Sequence, residues 1–256
     1  MAREHNVVIK TPAEIEIMRT AGHINVLALD TVRQMVRPGI STAELDAAAE
    51  AVIRDHGGIP TFKGFPGPYP FPATLTISIN EEMVHGIPGK RVLKSGDIVS
   101  VDCGTTYKGF VADSAFSVGV GKISKDAQRL LDVTKQALFE GIKQMRVGNR
   151  VGDISSAIQR YVEKHGYHVP REYSGHGVGR QMHEAPQVPN YGRAGRGLSL
   201  RAGMTLAIEP MLLVGTYRTR VLADRWTVVS ADGSLTAHHE HSIVVTENGP
   251  SILTVL

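Results

Sequence analysis

Four acidic residues in this sequence stand where predicted strands begin or end. Asp102 and Glu209 each close an alternating apolar run, and Glu240 precedes a further apolar run. Asp113 follows Asp102 after a glycine-containing hairpin connection that is predicted from Cys103 to Phe110. Carboxylates crowded into one cleft repel each other and raise each other's pKa unless cations neutralise them. The four acids therefore predict a metal site.

His176 adds an imidazole to this candidate ligand set. It lies in a glycine-rich run, residues 175–179, whose spacing matches neither the phosphate-binding P-loop nor the dinucleotide fingerprint. One histidine and four carboxylates suit two hard or borderline divalent ions better than a single zinc with three protein ligands. Two ions about 3.5–4 Å apart can activate water and polarise a carbonyl, so hydrolysis is the predicted reaction class.

Two other metal-binding motifs are only partly present in the sequence. Residues 183–187 begin like the zincin helix signature, but Gln187 replaces the second histidine and Pro186 opposes a helix interior. Residues 238–240 could begin a two-histidine, one-carboxylate iron site, but no distal histidine follows His241. We interpret six other histidines as structural: His56, His165, His168, His238, His239 and His241.

One pair of predicted helices precedes Asp102 and Asp113, and a second pair precedes His176, Glu209 and Glu240. These helices would position the strands that carry the candidate ligands. The first two helices open with capping boxes, at Thr11 and Ser41. Landmarks of the first pair recur in the second at an offset of 109 residues, as in Gly39 with Gly148 and Leu45 with Ile154. The helices are predicted from Pro12 to Pro38, from Ser41 to His56, from about 124 to 146 and from about 153 to 165.

Three later motifs recur in the same order, which indicates an internal duplication. The His-x-x-Pro units at 85–88 and 183–186 match, as do the runs that end in Asp102 and Glu209, and Asp113 matches Glu240. We predict one α/β domain, residues 1–256, built from two similar halves at about 12–120 and 124–250. A cleft between the halves would hold the acids.

Taken in order, these residues resemble the type I methionine aminopeptidases, which have the duplicated pita-bread fold. The likeness covers nearly the whole chain, and its spacings are specific. The motifs are Ile77-Ser-Ile-Asn-Glu81, Val84-His-Gly-Ile-Pro88, Val101-Asp-Cys-Gly104, Asp113, Gly175-His-Gly-Val-Gly179, His183-Glu-Ala-Pro186, Glu209-Pro210 and Glu240. The resemblance implies an α/β (α+β) architecture, with an antiparallel-rich central sheet covered by helices.

The resemblance also implies a role for each ligand. Asp102 would bind one divalent ion, His176 and Glu209 would bind the other, and Asp113 and Glu240 would bridge both. Glu209 would also shuttle a proton for the attacking water. Cobalt, manganese and iron all suit such oxygen-rich ligands, so the ion's identity stays open.

Substrate contacts follow from the same resemblance. His85 and His183 would contact the scissile peptide and stabilise its transition state. Trp226 would lie over the methionine side chain, and further candidates for this apolar pocket are Phe65, Tyr69 and Met182. The implied reaction is removal of the N-terminal methionine from nascent proteins, with a small second residue preferred.

The proline-rich segment at residues 59–73 departs from the family pattern. Its five prolines predict a stiff surface loop, and its four aromatic residues could line a pocket. Pro66 stands where a histidine is common in the family, and the loop is several residues longer. Fine substrate preference is therefore left open, whereas the metal site is not affected.

Composition narrows the class of protein and its partners. The 256 residues, 42% hydrophobic and 21% charged, indicate a globular protein without a membrane-spanning run or a signal peptide. Cys103 is the single cysteine, which fits a reducing cytoplasm. Lysine and arginine are scattered despite the net charge of +3, so no nucleic-acid specificity is expected. We expect a monomer that meets nascent chains, with transient ribosome association.

Two alternative functions stay open. A proline-specific aminopeptidase or dipeptidase of the same fold would share the five ligands, but usually carries an extra N-terminal domain, whereas the repeat here begins by about residue 12. A non-catalytic module of this fold, binding peptide or ribosome, would be expected to lose ligands. All five are present, together with His85 and His183.

Overall fold

A computed structural model describes residues 7–256 of the chain. Along the chain, pairs of helices alternate with runs of antiparallel strands. The helices are α1 (Pro12–Met35), α2 (Thr42–Asp55), α3 (Lys125–Ile142) and α4 (Val151–Lys164). The first strands are β1 (Ile59–Pro60), β2 (Leu75–Ile79), β3 (Glu82–Val84), β4 (Ile98–Tyr107) and β5 (Phe110–Gly119). The later strands are β6 (Ser174–Gly177), β7 (Glu184–Pro189), β8 (Thr205–Ile208), β9 (Met211–Leu213), β10 (Thr219–Val221), β11 (Val228–Ser230), β12 (Thr236–His238), β13 (His241–Thr246) and β14 (Gly249–Ile252). The duplication of the two halves stays a prediction.

The first two helices begin where their capping residues predicted. The Thr11 hydroxyl accepts the Glu14 backbone N–H, while the Glu14 carboxylate accepts the Thr11 backbone N–H. Ser41 and Glu44 form the same reciprocal pair at the start of α2. These bonds satisfy backbone N–H groups that have no partner within the helix.

The second helix pair differs from its predicted bounds by a few residues. Helix α3 ends at Ile142, because the next turns form tighter bonds, from Gln144 N–H to Gly141 and from Met145 N–H to Ile142. Helix α4 begins at Val151, two residues before the predicted start, because Asp153 is the third residue of a capping arrangement rather than the first.

Strands β4 and β5 form a long hairpin that is tighter than the sequence indicated. We predicted a connection from Cys103 to Phe110, but the strands extend to Tyr107 and from Phe110. The two-residue turn consists of Lys108 and Gly109, with φ of 46° and 77°. Left-handed conformations at both positions suit the twist of a hairpin, so residues 103–107 stay paired.

Each helix pair covers an apolar face of a sheet. Strand β4 pairs with β5 along one edge and with β1 and β2 along the other, and α1 and α2 pack against this sheet. A five-stranded sheet in the order β14-β13-β8-β6-β7 lies beneath α3 and α4. The strand pairs are antiparallel. No helix within residues 7–256 is long and apolar enough to cross a membrane.

The two sheets meet along one line of contacts between β5 and residues 238–242. The backbones of Ala115 and Glu240 exchange two hydrogen bonds, of 3.3 Å and 3.0 Å. On either side a serine hydroxyl replaces a backbone group: Ser242 Oγ bonds both backbone groups of Asp113, and Ser117 Oγ bonds both of His238. This seam fixes the register of one half against the other.

Asn25 connects α1 to the hairpin that carries two of the candidate ligands. It is fully buried, and its side-chain amide donates to the carbonyl oxygens of Cys103 and Ala112, 2.5 Å and 3.5 Å away. The Ser114 hydroxyl donates to the Asn25 side-chain oxygen. The acceptors flank Asp102 and Asp113, so Asn25 holds the backbone of both.

We predict that Asn25→Ala lowers the free energy of unfolding by about 2–4 kcal/mol, because each buried polar partner left unpaired costs about 1–3 kcal/mol. Urea denaturation measures this change. His23→Ala, on the exposed side of the same helix, is the control and should change stability by less than about 0.5 kcal/mol. Equal stability of the two variants would contradict the structural role of Asn25.

Candidate metal centre and adjoining pocket

Asp102 and Asp113 project from one face of the β4–β5 hairpin. The register pairs Asp102 with Ala115 and Gly104 with Asp113, so the two acids are diagonal neighbours on the same side of the sheet. Thr76 stands opposite Asp102 on the other neighbouring strand, β2. Both acids are buried.

The other two acids come from the second sheet. Glu209 directly follows β8 and Glu240 directly precedes β13, and these strands pair with Ile208 opposite His241. The two glutamates therefore leave adjacent strands at the same end. Because Glu240 also pairs with Ala115 across the seam, both carboxyl groups reach the face that carries Asp102 and Asp113.

His176 lies on β6, beside β8, with its ring directed at two of the acids. Its Nε2 atom is 3.5 Å from Glu209 Oε1 and 3.7 Å from Asp113 Oδ2. Its Nδ1 atom lies 2.9 Å from the carbonyl oxygen of Gly177. A carbonyl only accepts, so Nδ1 carries the proton and Nε2 of the neutral ring presents a lone pair.

Burial raises the pKa of all four acids, and repulsion between carboxylates raises the pKa of Asp113, Glu209 and Glu240 further. Burial raises the pKa of Asp102 to about 7, although hydrogen bonds with Asp113, Cys103 and Thr76 act to lower it. Burial raises the pKa of Asp113 well above its usual value, helped by the charges of Glu240 and Asp102.

The pKa values of Glu209 and Glu240 are raised by the same two effects. Burial and the charges of Asp113 and Asp102 raise the pKa of Glu209, and burial and the charges of Glu209 and Asp102 raise that of Glu240. The cluster therefore resists ionisation unless a cation neutralises the carboxylates.

The donor atoms left without partners fit divalent cations. Asp102 Oδ1, Asp113 Oδ1 and Glu240 Oε1 are buried and have no hydrogen-bond partner within residues 7–256. Ligand atoms of Asp113, His176 and Glu240 lie within 4.8 Å of one another. Unpaired carboxylate oxygens beside an imidazole lone pair form a donor set that divalent metal ions prefer.

An apolar pocket opens directly beside these ligands. Its wall combines aromatic rings and a thioether with the five candidate ligands, and its apolar members are Phe62, Phe65, Phe71, Met182 and Trp226. His85 and His183 lie in the same wall, where His183 stacks edge-on against His176 at 4.4 Å between ring centroids and against Phe65 at 5.5 Å. The cavity thus joins a metal-binding floor to an apolar side.

Both wall histidines are uncharged at neutral pH. Burial lowers the pKa of His85 to about 4, and burial also lowers the pKa of His183. His183 is solvent-accessible at the mouth of the cavity, while His85 is half-buried. His85 has a φ of 60°, a left-handed conformation that is uncommon for a non-glycine residue and aims its ring into the cavity.

The proline-rich segment is not purely a surface loop. Phe62 and Phe71 are buried, because the prolines turn the chain back over the cavity and the aromatic rings point inward. Tyr69 does not line the cavity: its hydroxyl donates to the Asp224 carbonyl at 2.9 Å and its ring packs edge-on against Trp226. Tyr69 supports the wall from behind.

Sequence reasoning overlooked Thr76, included Phe62 and Phe71 only among the loop aromatics that could line a pocket, and interpreted His238 as structural. Thr76 was detectable from the alternation of residues 74–78, but nothing indicated that its strand faces Asp102. His238 precedes Glu240 by two residues, so strand alternation alone puts them on one face. The structure places His238 Nε2 within 3.8 Å of Glu209 Oε2 and of Glu240 Oε2, and burial lowers its pKa to about 3.

Residues 16–247 match the metallopeptidase family M24. The chain belongs to this family. Among its M24 relatives, a methionine aminopeptidase of Clostridium perfringens is 50% identical over 250 residues, which cover 98% of this chain and 99% of the relative. Methionine aminopeptidase 1 of Bacillus subtilis is 49% identical over 248 residues, covering 97% and 99%. A crystal structure of methionine aminopeptidase from Thermotoga maritima has a TM-score of 0.95 and 45% identity, covering 98% of this chain and all of that one.

The M24 matches confirm two predictions made from the sequence. The chain has the pita-bread fold, and it is a type I methionine aminopeptidase by its similarity along nearly its whole length. As an M24 metallopeptidase it is a hydrolase that uses divalent metal ions.

We predict that the metal-free protein loses stability as the pH rises from about 6.5 to 8.5. The folded state holds protons on its acids, with the pKa of Asp102 at about 7, whereas the unfolded carboxyl groups have already ionised. Stability is therefore lost as the pH rises through the folded pKa values, by up to about 1.4 kcal/mol per pH unit for each group. The buried histidines oppose this loss only in part. Their folded pKa values are lowered, so only the unfolded histidines, with a pKa of about 6.5, release protons between about pH 6.5 and 7.5, and above that pH they are neutral in both states.

Urea denaturation in the presence of EDTA at three pH values tests this prediction. The same series with excess Mn²⁺ is the control, and should show a shallower decline because the ion favours the ionised acids. A metal-free protein whose stability stays level or increases over this range would contradict the clustered carboxyl groups.

Proposed function

We propose that this chain removes the N-terminal methionine from polypeptides, using divalent ions held by Asp102, Asp113, His176, Glu209 and Glu240. The observation that carries the proposal is one cavity in which these five donors adjoin an apolar pocket. The similarity to methionine aminopeptidases of 50% and 49% identity supports the same assignment.

The ligands divide between two ions in this proposal. Asp102 would hold one ion, His176 and Glu209 would hold the other, and Asp113 and Glu240 would be shared between them. The support is positional, because Asp113 lies within hydrogen-bond reach of both Asp102 and Glu240 and 3.7 Å from His176 Nε2. When bound, two divalent ions lower the pKa of a water molecule and polarise the scissile carbonyl.

The protein's own groups then handle protons and charge. Glu209 accepts a proton from the attacking water at one carboxylate oxygen and returns it to the leaving nitrogen. His183 and His85 are neutral, so each can donate a ring N–H to the substrate carbonyl oxygen as negative charge develops there. Neutral donors avoid placing further buried charge beside the ions.

The apolar wall accounts for selection of methionine. Phe65, Phe71 and Trp226 present aromatic rings to the cavity, and a thioether makes favourable contacts with such rings, worth about 0.3–1.5 kcal/mol each. Tyr69 supports Trp226, and Met182 completes the apolar surface beside His183. Bulk at the second substrate residue would press on the metal-binding floor, so we propose a preference for small second residues.

The proposal includes a cellular setting and the identity of the ions. The substrates are the N-termini of nascent polypeptides, and the protein works as a cytoplasmic monomer that associates transiently with ribosomes. The single cysteine, which is buried, suits a reducing compartment. Cobalt, manganese and iron are the proposed ions, because carboxylates and one imidazole suit all three.

Peptide hydrolysis tests the function against its nearest alternatives. We predict that Met-Ala-Ser loses methionine, that EDTA abolishes the reaction, and that Mn²⁺, Fe²⁺ or Co²⁺ restores it. Release of the amino acid, followed by chromatography, is the measurement. Cleavage of Xaa-Pro peptides alone would indicate a proline-specific enzyme, and a protein that binds divalent ions without cleaving either peptide would indicate a binding module.

We predict that His183→Ala lowers kcat by about 10²–10³-fold, because it removes one hydrogen-bond donor to the developing oxyanion. Its metal content should equal that of the wild type, since His183 is not among the proposed ligands. Atomic emission measures the metal, and Met-Ala-Ser hydrolysis measures kcat. His168→Ala, at an exposed histidine remote from the cavity lining, is the matched control. Loss of metal from the His183 variant would contradict this assignment.

A further inference from the structure

His238 is held rigidly at the edge of the proposed metal centre. It ends β12, where it pairs with Met211 of β9. Its backbone N–H donates to Ser117 Oγ at 2.8 Å, and the Ser117 hydroxyl donates to its carbonyl oxygen at 2.7 Å. These bonds belong to the seam between the two sheets, so the direction of the His238 ring is set by both halves of the molecule.

The ring of His238 is directed at two ligand carboxylates but bonded to neither. Only 2% of the residue is exposed, and Nε2 has no hydrogen-bond partner within residues 7–256. Nε2 lies 3.8 Å from Glu209 Oε2 and 3.8 Å from Glu240 Oε2. A movement of under roughly 1 Å would bring either oxygen into the N–H···O range of about 2.7–3.2 Å. A buried ring nitrogen left unpaired is costly, so this geometry calls for a partner.

The two oxygens of Glu209 face different imidazoles. Oε1 faces Nε2 of His176 at 3.5 Å, while Oε2 faces Nε2 of His238. The His176 Nε2 atom carries no proton in the neutral ring, because Nδ1 is the donor to Gly177. His176 therefore offers a lone pair on the ion side of Glu209, and cannot donate to it. Of the two, His238 is the one that can supply an N–H.

Carboxylates that bind metal ions through one oxygen commonly accept a hydrogen bond at the other, and such partners orient the ligand. We propose that His238 is a positioning residue of the metal centre, whose Nε2–H donates to the Oε2 atoms of Glu209 and Glu240 and holds both carboxylates in their ion-binding orientation. This inference rests on the proposed function, because it requires that Glu209 and Glu240 are ligands.

Metal affinity of paired variants tests the proposal. His238→Leu keeps an apolar side chain of related size but removes the donor, whereas His238→Gln keeps an N–H donor at similar reach. We expect His238→Leu to weaken Mn²⁺ binding by about 10–100-fold, and His238→Gln to stay within about threefold of the wild type. Isothermal titration of the metal-free full-length protein gives the dissociation constants.

His239→Leu is the matched control for loss of a buried histidine. His239 is the next residue in the chain and is buried, yet within residues 7–256 it lacks the carboxylate contacts under 4.0 Å that His238 has. Its Mn²⁺ affinity should match that of the wild type. If His239→Leu weakens binding as much as His238→Leu, the effect is general packing and the proposal is wrong.

The visible spectrum of the Co²⁺-loaded protein separates a positioning residue from a direct ligand. A positioning donor predicts that the bands of His238→Gln match those of the wild type, whereas loss of an imidazole ligand would shift them. A shifted spectrum, equal losses of affinity in both variants, or unchanged affinity in His238→Leu would each overturn the proposal. A wild-type protein that binds no divalent ion would instead overturn the proposed function from which the inference starts.

Discussion

Four carboxyl groups share one buried space, and their mutual repulsion is the constraint on which the rest of the structure depends. Taking even one carboxylate out of water costs several kcal/mol, and like charges a few ångströms apart add to that cost. The protein holds them together with neutral donors and a rigid backbone, and three of their oxygens have no hydrogen-bond partner in the part of the chain that the structure describes. A site that is unfavourable when empty and ionised is favourable once divalent cations enter it.

The candidate ligands come from two sheets, and the hydrogen bonds that join these two sheets lie at the site itself. Three successive contacts join β5 to residues 238–242, and each involves a site residue: Asp113 with Ser242, Ala115 with Glu240, and Ser117 with His238. Serine hydroxyls replace backbone donors and acceptors at two of the three. The same hydrogen bonds that join the halves therefore also aim the ligands.

The sequence was informative wherever local chemistry decides structure. Capping residues placed the starts of α1 and α2, and strand alternation placed Asp102 and Glu209 at the ends of apolar runs. It was less informative where distant contacts decide. Residues 103–107 look like a turn because of Gly104, but they stay paired with β5 because the chain turns at Lys108 and Gly109 instead. Glycine at 104 fits because Thr61 and Phe62 pack against the space where a side chain would be. The inward direction of Phe62 and Phe71 likewise depends on the packing of the whole loop.

His238 is a residue of the candidate site whose surroundings could not be predicted from the sequence. Its alternation with Glu240 was visible in the sequence, yet alternation predicts only a shared face, and nothing local says that the imidazole of His238 reaches the carboxylates. This placement arises from Ser117 on a distant strand, which fixes the backbone of His238. His241 instead points at Thr254, 2.9 Å from its hydroxyl. Neighbours of identical chemistry thus acquire different surroundings from tertiary contacts alone.

The apolar pocket and the metal-binding floor are parts of one physical arrangement rather than two neighbouring features. Phe65, Phe71 and Trp226 exclude water from one side of the carboxyl cluster, and burial is the largest cause of the raised pKa of each acid. Lower local polarity also strengthens any interaction between an ion and its ligands, and between the wall histidines and a developing oxyanion. The surface suited to a methionine side chain is thus also the surface that makes the acids depend on cations. Replacing an aromatic wall residue by a polar one would alter side-chain selection and metal binding together.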